Sequence, residues 1–297
     1  MLAQTLGEQP AKQIAVVAAD VDPADIAELV DRTCEAAEDV ETADKHRAAA
    51  SLVIAAAGLP MQPGDASTDQ LQQLLSGEIL RATNKSELKL LEEAVVALRE
   101  KLSPEQALAF QATLLQAITE RQQDRNVGLL QRALYATTGG LDEPAQQTAW
   151  SNLLTRTGKL DESPGRQVAA EGLRVATGLL APNDLPMVLK ELQSPRNTEV
   201  RVALARGLWV LAARHSDEIK PQIEAMLPDA KNDQIRGYFE KALAAQPIYE
   251  RGTPDARLDA ELKRGERLEK LREFTHPPSM TYELGRIAKE GGPLTEA

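Results

Sequence analysis

The chain has 297 residues and a formal net charge of −11, long enough to bury a large core in one or two domains. Aromatic residues make up only 3% of it, and Ala and Leu dominate the apolar share, which favours closely packed helices over strands. Three classes are disfavoured at once. No run of 18 apolar residues is present, so no membrane-spanning helix is expected. The single cysteine, Cys34, rules out an intrachain disulfide, and the acid excess works against non-specific nucleic-acid binding.

The expected fold class is all-α. Residues 1–44 hold eleven acids against Lys12 and Arg32, a charge run that reads as a solubilising face. Residues 1–22 form an acidic segment ahead of the folded body. The start "MLAQTLGEQPAKQ" lacks a basic n-region and an apolar h-region. The expected compartment is cytoplasmic if Met1 is the native start, and periplasmic or secreted if a signal peptide has been removed. Asp20, Asp22 and Asp25 read as a turn and an acidic helix start, which the helix dipole favours, and Cys34 reads as a small core residue.

Helices are predicted near 23–38, 42–57, 67–82, 86–101, 104–121, 125–137, 142–157 and 165–180. "STDQ" at 67, "TNKSE" at 83 and "SPEQ" at 103 supply N-caps. "AGLPMQPGD" at 57, "ATTGG" at 136 and "TPDA" at 253 supply stops and turns.

From residue 165 the chain repeats itself with a period of 35. "GRQVAAEGLRVA", "VRVALARGLWVL" and "IRGYFEKALAAQ" align without gaps. The alignment places Arg166, Arg201 and Arg236 in one phase, and Gly172, Gly207 and Ala242 in another. Pro186 and Pro221 share a phase ahead of these helices, near the start of a preceding helix. Each unit therefore reads as helix, turn, helix. In the central helix, Val200, Ala203, Leu204, Gly207, Leu208 and Leu211 share one apolar face, and Arg201 borders it.

These segments resemble the HEAT repeat, whose second helix carries an apolar-Arg step followed by small and large apolar residues. An earlier stretch, "HRAAASLVIAAA" with Arg47, is similar. The resemblance implies a right-handed α-solenoid of about six helical pairs over 23–246, followed by a charged capping or docking helix and tail over 247–297. It further implies that Arg166, Arg201 and Arg236 form a structural ladder bridging adjacent units. If Arg201 is paired and buried, Arg201→Ala should cost roughly 2–5 kcal/mol.

In such solenoids the second helices line the concave side. Residues there that the packing does not use are the candidate binding set. The 35-residue register gives Gln167, Glu171 and Arg174, then Val202, Arg206 and Trp209, then Gly237, Lys241 and Ala244. Arg174, Arg206, Trp209 and Lys241 are the ones expected to meet a partner, since Arg and Trp dominate binding hot spots. In the tail, Phe274, Met280 and Tyr282 would suit a partner's groove.

No catalytic constellation is evident. His46, His215 and His276 fall on separate elements without metal-ligand spacing, and glycine-rich phosphate loops and nucleophile elbows are missing. Carboxylate pairs such as Glu92 and Glu93 read as solvated. The expectation is thus a non-enzymatic scaffold or adaptor binding a protein through its concave face, its C-terminal helix, or both, with no cofactor or metal. The alternatives are a HEAT-like enzyme of the DNA-glycosylase or chromophore-lyase kind, and an architectural subunit of a larger assembly.

Overall fold

A computed structural model describes residues 23–38, 45–59, 61–139, 141–194 and 196–245. The expectations for residues 1–22 and 247–297, including Phe274, Met280 and Tyr282, and for the stop at "TPDA", lie outside the described residues. Within them the fold is all-α, and no strand occurs among the described residues.

The helices in chain order are α1 (Pro23–Glu38), α2 (Lys45–Ala57), α3 (Ala66–Arg81), α4 (Lys85–Leu98), α5 (Pro104–Glu120), α6 (Gln131–Thr138), α7 (Glu143–Lys159) and α8 (Pro164–Leu179). They continue as α9 (Leu185–Gln193), α10 (Thr198–Arg214), α11 (Ser216–Met226) and α12 (Asp233–Leu243). Two compact units divide between Gly207 and Leu208, inside α10.

In the first unit the odd-numbered helices α1, α3, α5 and α7 pack on one another in succession, and α2, α4, α6 and α8 do the same. Each pair is also joined internally, α1 on α2, α3 on α4, α5 on α6 and α7 on α8. Leu71, Leu75, Ile79, Leu88, Leu91 and Phe110 are fully buried between the rows. A single pair could not cover its apolar stripe alone, so stacking supplies the core. The second unit buries Ile219, Ile223, Ile235 and Phe239, with α11 against α12.

Helix starts follow local chemistry. Asn84 caps α4: its side chain accepts from the Glu87 N–H at 3.0 Å while Glu87 reaches back to the Asn84 N–H at 3.2 Å. Ser103 and Gln106 make the same reciprocal box at α5. The helix predicted from 67 begins one residue earlier, and the residue preceding it is Asp65, whose side chain makes no cap to the helix. Thr68, inside the first turn, instead donates to the Asp65 carbonyl at 2.6 Å. The stretch expected as one helix over 125–137 opens as a 3-10 segment, Arg125–Leu130, before turning α-helical.

Pro221 also departs from its expected place. It lies inside α11 rather than at its first turn, because the helix already starts at Ser216. Lacking an N–H, it leaves the Asp217 carbonyl without its usual i+4 donor.

Small residues set how closely neighbouring helices approach. A Cβ added at Gly207 would lie 2.4 Å from the Thr177 Cβ and 2.7 Å from the Arg174 carbonyl oxygen. At Gly172, one repeat earlier, it would meet Leu134 and Leu153 side chains at 2.6 and 3.0 Å. The shared phase found in the sequence is therefore a crossing point where a side chain has no room.

Candidate partner-binding surface

Helices α6, α8 and the first part of α10 place four polar side chains in a continuous chain of contacts. Arg174 Nε donates to Glu171 Oε2 at 2.6 Å, and Arg206 Nη1 reaches Glu171 Oε1 at 3.4 Å. Both residues of the first pair lie on α8, three positions apart, where they share a face. Arg206 comes from the neighbouring helix, 35 residues on, and is half exposed. One carboxylate thus serves two guanidiniums from successive repeats.

The chain extends to α6 through Tyr135. The Arg174 guanidinium lies beside the Tyr135 phenol, and Gln131 Nε2 donates to the phenolic oxygen. Burial pushes the Tyr135 phenol up, with Glu171 adding to that effect and Arg174 opposing it. Burial also works against the Arg174 charge, but Glu171 and Tyr135 beside it outweigh that, and its pKa is raised. Arg174 is a largely buried link with a firmly held charge, whereas Arg206 is the group that solvent meets.

Other predicted residues fall around this row or apart from it. Gln167 is exposed and Val202 half-buried. Trp209, half-buried, and Lys241, exposed, belong to the second unit. Tyr135 was not singled out in the sequence, because the ungapped register of 35 starts downstream of it. The signal lay at a longer spacing: Tyr135 precedes Arg174 by 39 positions.

The three arginines that share a phase have different surroundings. The Arg166 side chain is only 12% exposed; its Nη2 lies 3.4 Å from Glu199 at the start of α10, and its Nη1 donates to the Leu160 carbonyl at 3.3 Å. Arg201 is half-buried and donates from Nε to the Arg196 carbonyl at 3.2 Å. Arg236 is about half exposed and lies 3.8 Å from Asp233. Arg47 is exposed on α2.

Comparison of the chain with protein-family models gives no match, and comparison with curated proteins gives none.

A second polar group sits between α2, α3 and α4. His46 Nδ1 lies 2.6 Å from Glu78 Oε2, and the other Glu78 oxygen accepts from Arg81 at 2.7 Å. His46 Nε2 is 3.8 Å from Glu87. Glu78 is 1% exposed, enclosed against these neighbours. An open cavity of about 470 Å³ beside it is lined by Asp31, Cys34, Lys45, Gln70, Glu78 and Arg81 among others. Cys34 is half-buried on its wall rather than inside the core.

Glu92 likewise differs from its reading as solvated: it is buried, and its Oε1 accepts the backbone N–H of Arg132 at 3.2 Å. The carboxylate meets an orphan donor at the start of α6, which is why α4 presents it inward. Among the described residues no group of three or more His, Cys, Asp or Glu side chains is placed to hold a metal ion. No described helix is long and apolar enough to cross a membrane.

Proposed function

We propose that this chain is a non-enzymatic helical-repeat scaffold, a HEAT-like α-solenoid that binds a protein partner through the face carried by its second helices, with residues 247–297 as a further docking element. The observation that carries the reading is the row Tyr135, Arg174, Glu171, Arg206. It brings together side chains of three successive second helices, with Glu171 joined to Arg174 and Arg206 and with Tyr135 beside Arg174, and leaves a half-exposed arginine at its end. Stacked pairs make extended surfaces rather than enclosed pockets, and arginine beside aromatic residues is the usual chemistry of an interface centre. Trp209, in the second unit, is a separate candidate from the 35-residue register.

The test is affinity capture with the full chain, the chain ending at Pro247, and the variant Arg206→Glu with Trp209→Ala. A stoichiometric protein retained by the full chain and lost from the double variant supports docking on the second-helix face. Loss on truncation alone assigns the contact to 248–297. Retention of no protein by the full chain removes the scaffold reading.

A further inference from the structure

Charge in the first unit is sorted by helix row. Of the ionisable side chains on the second helices α2, α4, α6, α8 and α10 up to Gly207, the five most open to solvent are all basic: Arg47, Lys85, Lys89, Arg132 and Arg206. The acids on the same helices are half-buried or buried, and four of the five have work inside the fold. Glu87 caps α4, Glu92 holds the start of α6, Glu171 joins Arg174 to Arg206, and Glu199 faces Arg166. On the first helices, α1, α3, α5, α7 and α9, the described exposed set is seven acids and five bases. A protein of net charge −11 therefore presents one row whose most exposed charges are positive.

Helix stability does not select all of these positions. Lys85 stands in the first turn of α4, where the positive end of the helix dipole disfavours a cation. A sorted charge that runs against local stability has its rationale in something outside the helix. From this sorting we infer that the second-helix row docks an acidic segment of a protein partner. The inference rests on the scaffold reading and names the partner's chemistry.

A peptide fits better than a nucleic acid. The chain's overall negative charge repels a long polyanion. The exposed bases are interleaved with Glu93 and Glu171, and Tyr135, the one aromatic on these helices in the first unit, is half-buried, so no platform is offered for stacking bases. Short acidic stretches place separated carboxylates against separated ammonium and guanidinium groups, which is what this row offers.

The experiment uses the full chain and a fluorescein-labelled oligoglutamate peptide, read by anisotropy at low salt and at about 150 mM. Lys85→Glu, Lys89→Glu, Arg206→Glu reverses three bases of the second-helix row. Arg156→Glu, Lys159→Glu, Lys190→Glu makes the same change in net charge on the first helices. Circular dichroism checks that both triples keep their helix. The expected result is binding that weakens by about tenfold or more in the first triple and by no more than about twofold in the second. Equal loss in both triples, no binding by the unaltered chain, or tighter binding of a duplex oligonucleotide than of the peptide would each overturn the proposal. So would sedimentation showing that the row is occupied by a second copy of the chain. A captured protein partner separates the two readings: if the unaltered chain retains none, the scaffold reading falls, and if both triples retain it equally, only the acidic-docking inference falls.

Discussion

Arg206 and Glu171 stand one repeat apart in sequence, 35 positions, and face each other at 3.4 Å from neighbouring helices. Glu171 is shared with Arg174 at 2.6 Å, so the pair is one of the two links in a three-member cluster. Because Arg206 is half exposed, water screens most of its attraction. A double-mutant cycle with Glu171→Ala and Arg206→Ala should give a coupling of about 0.5 kcal/mol. A coupling several times larger, measured by urea unfolding, would mean that Arg206 holds the fold rather than facing a partner.

Gly207→Ala should destabilise the protein by about 2–3 kcal/mol, since the new methyl meets the backbone of Arg174 as well as Thr177 and neither can step aside cheaply. Gly237→Ala should do the opposite. Nothing lies within 4 Å of its added Cβ, and the residue sits inside α12, so relief of backbone entropy should stabilise by about 0.5–1 kcal/mol. Unfolding midpoints of the two variants, moving in opposite directions, check the pair.

Trp150 buries its indole against α8 and donates from Nε1 to Thr177 Oγ1 at 3.0 Å. Thr177→Val keeps the shape and removes the acceptor. The orphaned N–H should cost about 1–2 kcal/mol, read as a lower urea midpoint, while Thr177→Ser, which keeps the hydroxyl, should lose less.

Glu87 carries an acid-side dependence of stability. Burial raises its pKa, but backbone N–H groups of Thr83 and Asn84 and the nearby His46 outweigh that, and it falls below the ordinary value of 4.5. A carboxyl with a lowered folded-state pKa contributes stability that is fully present above the unfolded value and lost as pH falls through the folded one. Glu87→Gln should therefore be less stable than the native chain at neutral pH, and the gap should narrow as the pH falls below the ordinary value of 4.5. A gap independent of pH across that range would show that the amide replaces every interaction of the carboxylate.

Arg166→Ala should cost about 1–2 kcal/mol and Arg236→Ala under about 0.5 kcal/mol, because Glu199 and the Leu160 carbonyl lose a nearly enclosed donor only at the first site. Equal effects at the two positions would contradict that ordering.

The sequence made the all-α class legible through its Ala and Leu content, and the shared phase of Gly172 and Gly207 through the 35-residue register. That same register carried Glu171 onto Arg206, which the structure joins by a salt bridge. It stopped short of Tyr135 because the spacing upstream lengthens, and an ungapped comparison cannot follow a changed period. Glu92 was misread for a different reason. Two adjacent glutamates point to different faces of a helix, and only the position of α6 decides which of them meets an orphan N–H. Pro221 shows the limit of phase itself, since a repeat can keep a residue in register while the helix start moves around it.

The stacking order has a consequence for how the chain reaches its structure. Between successive helical pairs, Arg121 donates to the Ile79 carbonyl, only 42 residues away in a chain of 297. Contacts this local make for low relative contact order and little loop-closure entropy at each step. Each helical pair can settle on the one before it as it leaves the ribosome, so a lesion at one crossing, such as Gly207, delays what is synthesised after it and leaves the earlier pairs already assembled.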